Sequence, residues 1–427
     1  MLGAIQHQRL PGVSLAIGRR DGTIVYARGY GQRADRDTVY NIASITKQLT
    51  AATILSLAQQ HRLSIDDPLA KYLPPVAHAN AVTLRDLLNH TSGIPDFYYL
   101  AAYRPGMNAA DIVKLATAGP LRFRPGSAYE YSNTNYVLLG LVIEAVDGVP
   151  YARALEQRIF GPARMFSSRV GDVPGDGPDD AVGYVLRDGA LARVTAAAAD
   201  LGYGAGAVDS TAVDLVRWDA ALLSGKILRG TRLREMLAFR SLQRGTTVRY
   251  AFGLHERDGN GGRELYHRGR SDGYAGVDAI FVERGITIAM LANNESFAPM
   301  HLVDEIDALV APMPMAARAS GQASLPGNAA VDARAKDWLS QLRSGRIDRR
   351  QLGAAAAARF SDATLGELAE RLRAFGQLRS LTFLEKDSRY FGFDYTYRAA
   401  FENALVEYRF GVTRDGKIWN CALDRED

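Results

Sequence analysis

One cysteine, Cys421, is all that 427 residues contain, so an internal disulfide and a cysteine metal cluster are both excluded. The seven histidines are dispersed, without H-x-x-x-H or comparable ligand spacing, so no metal is expected. No apolar run reaches the roughly 20 residues that a membrane helix needs. Lysine is scarce, and most of the 51 basic residues are arginine. The net charge of +4 and pI near 9.0 therefore describe an arginine-rich solvated surface. With no basic run and no basic stripe interleaved with aromatics, nothing points to nucleic acid. The chain opens Met1-Leu2-Gly3-Ala4-Ile5-Gln6-His7, without a signal peptide's charged and apolar regions. A periplasmic or secreted location would need a leader already removed; otherwise the location reads as cytoplasmic.

What is present is ordinary soluble material, 47% hydrophobic and 23% charged, long enough for two domains. Strand patterns at 12–18 and 23–29 flank an Asp21-Gly22 hairpin turn. Strand patterns return at 265–269, 277–282 and 287–293, while 42–240 reads as mostly helical. The fold class is thus α+β: terminal strands pair into one antiparallel sheet around an inserted helical lobe. Residues 312–330 read as a linker rich in proline, alanine and glycine. Helices near 331–344 and 364–375 follow, then a meander with Val406, Tyr408, Phe410 and Val412 on one face. Residues 331–427 read as a small α+β domain with no catalytic constellation and a packing, substrate-gating or dimer-contact role, so homo-oligomerisation through it is a candidate.

Three short motifs carry the chemistry. Ser44-Ile45-Thr46-Lys47 opens an apolar helix, and residues at i and i+3 share a face about 5–6 Å apart. A serine there sits among free N–H groups at the positive end of the helix dipole, which favours developing negative charge. Lys47 is one of few lysines and lies within an otherwise apolar run. Tyr131-Ser132-Asn133 precedes a buried helix ending at Gly148 and Pro150. A phenol beside an ammonium loses its proton more readily and can act as general base; an asparagine can fix an amide. In His267-Arg268-Gly269 the glycine of a strand would leave room for a substrate backbone. Singly, each motif fits a capping serine, an ordinary aromatic or a structural histidine. Their order and flanks decide the reading.

With those motifs the sequence resembles the serine β-lactamase and penicillin-binding-protein superfamily, in its class C-like branch of D-aminopeptidases, esterases and D-alanyl-D-alanine carboxypeptidases. Supporting stretches include Gly29-Tyr30-Gly31, Leu87-Leu88-Asn89-His90-Thr91-Ser92-Gly93-Ile94-Pro95, Phe123-Arg124-Pro125-Gly126-Ser127 and Ala289-Met290-Leu291-Ala292-Asn293-Asn294. The resemblance covers about residues 5–311, the serine hydrolase domain of the reading (1–311). It implies the sheet-and-lobe architecture, with the active site at their junction, and likens 331–427 to NTF2-like or lipocalin-like appendages.

The implied chemistry is acyl transfer on small-molecule or peptide amides or esters, with no cofactor. Ser44 attacks, Lys47 and Tyr131 share its proton, and Asn133 holds the substrate amide and orients Lys47. By family analogy the backbone N–H groups of Ser44 and Arg270 hold the oxyanion. β-Lactamases and carboxypeptidases of this family usually carry lysine where His267 stands, and no K-x-G occurs in the chain. Histidine, a weaker and pH-dependent cation, points to D-aminopeptidase or esterase action. Carboxypeptidase or weak β-lactamase action is the alternative, with Arg270 restoring a carboxylate contact. A penicillin-binding sensor that acylates without turnover is another.

Overall fold

Gly22, at φ 88°, closes the turn between β1 (Gly12–Arg19) and β2 (Ile24–Gly31) in the computed structural model of the chain. The model describes residues 10–425 except 32–33, 172–176, 188–189, 195–201, 239, 242–246, 260–261, 298, 311–328, 354–355, 358–359, 361, 390–391 and 414. Later in the chain come β3 (His255–Gly259), β4 (Gly262–Ser271), β5 (Tyr274–Phe281) and β6 (Ile286–Ala292). All six form one antiparallel sheet in the order β3-β4-β5-β6-β1-β2. Early and late strands therefore meet at its centre, with Val13 opposite Ala292 and Ile17 opposite Ile288. Strand β3 was not expected, because Glu256, Arg257 and Asp258 hide its pattern.

The inserted lobe is built around α1 (Thr46–Gln59), buried from Thr46 to Ala58, and α2 (Asn133–Asp147). Both are apolar or small on nearly every side, so both pack inside the lobe over most of their length. Helix α2 stops at Gly148, whose φ of 73° is the left-handed cap expected there. Helix α3 (Ala212–Leu223), capped by the Thr211 hydroxyl, packs on β1 and β6.

The chain divides into two compact units, Met1–Gly321 and Gln322–Asp427. The first also holds α4 (Met300–Val310). In the second, α5 (Ala329–Ser344) and α6 (Asp362–Ala374) cover a meander of β7 (Leu378–Arg389), β8 (Gly392–Phe401), β9 (Leu405–Thr413) and β10 (Ile418–Arg425). Val406, Tyr408 and Phe410 pack with Trp338, Leu342 and Leu372 in its core. The linker reading falls mostly outside the described residues. Among the described residues no helix is long and apolar enough to cross a membrane, and no cluster of His, Cys, Asp or Glu could hold a metal.

Candidate active site

Ser44 sits in a single 3-10 turn, Ala43–Ile45, just ahead of α1 rather than inside its first turn. Ala43 takes φ 47°, a strained value for a residue with a side chain. The Asn41 side chain holds that strain in place: its Oδ1 accepts from the Ala43 N–H at 3.1 Å and from Ser271 Oγ at 2.8 Å. Its Nδ2 meanwhile reaches Asp209 Oδ1 at 3.2 Å. The nucleophile turn is thereby tied to the end of β4.

Lys47 is fully buried, and its Nζ lies 2.9 Å from Ser44 Oγ, 2.8 Å from Asn133 Oδ1 and 2.8 Å from the Ala205 carbonyl. The last two can only accept, so they consume two N–H bonds. The direction facing Ser44 carries the third proton in the ammonium and the lone pair in the neutral amine, the position a base needs. The Tyr131 ring centroid is 5.0 Å from the same nitrogen, and the ring is 7% exposed. Tyr131 stands on the loop entering α2, and Asn133 is the first helical residue. The structure thus brings Ser44, Tyr131 and Asn133 around the Lys47 nitrogen.

His267 lies beside them, 6.3 Å from Tyr131 between ring centroids. Its Nδ1 is 2.7 Å from the Arg268 carbonyl and donates to it, and its Nε2 lies 3.2 Å from the Tyr250 hydroxyl, which can serve as donor or acceptor. Burial first, then the neighbouring His255 and Lys47 charges, hold its pKa well below the usual value. That burial disfavours the cation expected at this position.

Two further expectations change. The room at Gly269 is taken by the protein itself: a Cβ there would overlap the Ile42 carbonyl oxygen and stand 3.3 Å from Ile45 Cγ1. The glycine lets β4 close on the nucleophile turn rather than admitting substrate. Arg270, like Arg268, is an odd number of residues from His267, so the pleat turns both side chains to the other face. That geometry opposes a side-chain replacement for the missing lysine and leaves Arg270 its backbone N–H.

A family model described as beta-lactamase matches residues 3–311. The chain belongs to that family. Penicillin-binding protein 4* of Bacillus subtilis (strain 168) is 30% identical over 301 residues, covering 64% of this chain and 66% of that protein, just under two thirds of its length. The crystal structure of a D-stereospecific amidohydrolase from Streptomyces sp. aligns with TM-score 0.64 and 28% identity over 73% of this chain and 97% of that one. An octameric penicillin-binding protein homologue from Pyrococcus abyssi aligns over 98% of this chain and 93% of its own, with TM-score 0.65 and 20% identity, a likeness of fold alone.

Within this beta-lactamase family chain, several site neighbours escaped the motifs. The His90 ring packs at a tilt against Tyr131, 4.3 Å between centroids, and its Nδ1 accepts from the Ser132 N–H at 3.2 Å. Asp96 contacts Asn133, and Tyr250 and His255 complete the aromatic wall around His267. The supporting stretch 87–95 contains His90, and no motif marked Tyr250, Asp96 or the Ala205 carbonyl. Of the aromatic stretch 97–99, Phe97 is core while Tyr98 and Tyr99 are 40% and 36% exposed.

Proposed function

We propose that this protein is a serine hydrolase that cleaves amides or esters through an acyl-enzyme on Ser44, with D-aminopeptidase-type or amidase action as its leading activity. The observation that carries this reading is the Lys47 amine, which spends two bonds on fixed acceptors and presents the third to Ser44 Oγ at 2.9 Å. Ser44 Oγ bonds to the substrate carbonyl carbon as its proton passes to the Lys47–Tyr131 pair. The oxyanion is held by the N–H groups of Ser44 and Arg270, donors worth about 3 kcal/mol each. The pair then protonates the leaving amine or alcohol. Water attacks the acyl-enzyme, releasing acid and restoring Ser44.

His267 guides the substrate class, because its burial disfavours the charged form and a neutral imidazole offers no formal charge to a free carboxylate at that subsite. Likeness to a D-stereospecific amidohydrolase supports the same side. Residues 1–311 would form the hydrolase domain and 331–427 an accessory domain.

The test is chromophore release from a D-alanine p-nitroanilide, a p-nitrophenyl ester and nitrocefin, with Ser44→Ala as control. Ser44-dependent turnover of the anilide is the expected result. Equal rates for wild type and Ser44→Ala would overturn the reading. Nitrocefin preference would favour the β-lactamase alternative, and stoichiometric long-lived acylation would favour a sensor.

A further inference from the structure

Asp96 is 3% exposed and lies within the loop that grips the start of α2. Its Oδ2 accepts from Asn133 Nδ2 at 3.0 Å, and its Oδ1 accepts from the Tyr98 N–H at 3.3 Å. From Asp96 a continuous line of hydrogen bonds runs to the nucleophile. Asn133 Oδ1 accepts from Lys47 Nζ at 2.8 Å, and Lys47 Nζ lies 2.9 Å from Ser44 Oγ.

The order of donors and acceptors in that line gives Asp96 its meaning. A side-chain amide has one accepting and one donating end and can rotate to exchange them. A carboxylate accepts only, so Asp96 can face nothing but the Asn133 NH2. That leaves the Asn133 oxygen facing Lys47. Rotated the other way, the amide would set N–H against the ammonium and push it off Ser44. Asp96 is also a buried carboxylate placed to complement the buried Lys47 through one neutral amide, in surroundings that otherwise include the Tyr131 and Tyr136 rings and His267.

The same loop is held to α2 without Asp96. The Phe97 N–H donates to Thr134 Oγ1 at 3.1 Å, Thr134 Oγ1 donates to the Pro95 carbonyl at 2.7 Å, and Ser92 Oγ donates to Asn135 Oδ1 at 2.7 Å. Bonds from Ser92, Pro95, Phe97 and Thr134 thus fasten the loop to α2 independently of the carboxylate, which holds the Tyr98 N–H and the Asn133 amide.

We propose that Asp96 is a positioning residue that fixes the amide of Asn133, and through it the Lys47 amine, for attack by Ser44. The inference rests on the acyl-enzyme reading above. Its test is a double-mutant cycle of Asp96→Ala and Asn133→Ala, read on the D-alanine p-nitroanilide in the full-length protein. Asp96→Ala is expected to lower kcat about 10²-fold, with KM and the thermal midpoint near wild type. The double variant is expected to be no slower than Asn133→Ala alone, because Asp96 acts through that amide. In the pH profile of kcat/KM, loss of a negative charge behind Lys47 should move the ascending limb to lower pH. If Asp96→Ala does not fold, Asp96→Asn, which keeps the volume but adds a donor, takes its place in the cycle. Unchanged kcat in a folded Asp96 variant would overturn the proposal. So would losses that multiply in the double variant. Failure of the acyl-enzyme reading looks different: wild type and Ser44→Ala would then be equally inactive, and the positioning role would fall with it.

Discussion

Gly269 lies so close to Ile42 that any side chain on it would overlap the Ile42 carbonyl oxygen, two residues before Ser44. Its φ is not left-handed, so the constraint is contact alone. Gly269→Ala must therefore push β4 away from the nucleophile turn. The expected cost is about 1–3 kcal/mol of stability, as for other overpacked sites, with a clear drop in kcat. Thermal melts and the anilide assay check this. A variant indistinguishable from wild type in both would mean that the turn relaxes freely.

His267→Lys restores the cation that relatives with a K-x-G motif carry. The new ammonium would meet the Tyr250 hydroxyl, now 3.2 Å from His267 Nε2. The ratio of nitrocefin to anilide kcat/KM is expected to rise about tenfold or more, a charge-assisted contact being worth roughly 1.5–3 kcal/mol. An unchanged ratio would show that some other cation sets carboxylate recognition.

Behind the site, Asp278 on β5 pairs in register with His267 and accepts from Gln48 Nε2 at 3.0 Å, next to Lys47 in sequence. Burial pushes its pKa up to about 7, and burial together with Asp278 pushes that of Asp219 well above the carboxylate range. Groups raised in this way favour the fold at low pH, where native and unfolded chains are both protonated. That stability is lost as pH climbs from near 4 through 7, because the unfolded chain ionises first. Asp219→Asn should therefore raise the melting midpoint at pH 8 while changing little at pH 4. A larger gain at pH 4 would contradict the assignment.

His267 pulls the other way. With its pKa lowered in the fold, the unfolded chain binds the proton first, so stability should fall as pH drops below about 6.5. His267→Asn should flatten that acid-side loss between pH 6.5 and 4. Urea titrations across that range measure it, and an acid-side slope left intact would place the titration elsewhere.

Much of the fold could be read from local pattern. The Asp21-Gly22 turn, the apolar helices after Lys47 and Asn133, the Gly148 stop and the alternation of 406–412 are all short-range signals, and short-range sterics and burial periodicity decide such elements. Strand β3 was hidden because the half-buried Arg257 pairs with the buried Glu264 at 2.8 Å, an ion pair between strands that no window along one strand reveals. The Ser44 turn was read as the first turn of a helix, whereas a positive φ at Ala43 sets it apart. Asn41, itself held by the distant Asp209 and Ser271, supports that strain.

The identity and order of Ser44, Lys47, Tyr131, Asn133 and His267 belong to the sequence by itself, as does the spacing that puts a hydroxyl and an amine on one turn. Those are covalent facts or follow from the geometry of a helix. The charge on His267, the occupant of the space beside Gly269, the face taken by Arg270 and the orientation of the Asn133 amide were decided only in three dimensions. Each depends on which groups are desolvated together. Tyr250 reaches His267, Ile42 reaches Gly269 and Asp96 reaches Asn133 across 17, 227 and 37 residues of chain, and desolvation takes effect only once folding has brought them into contact.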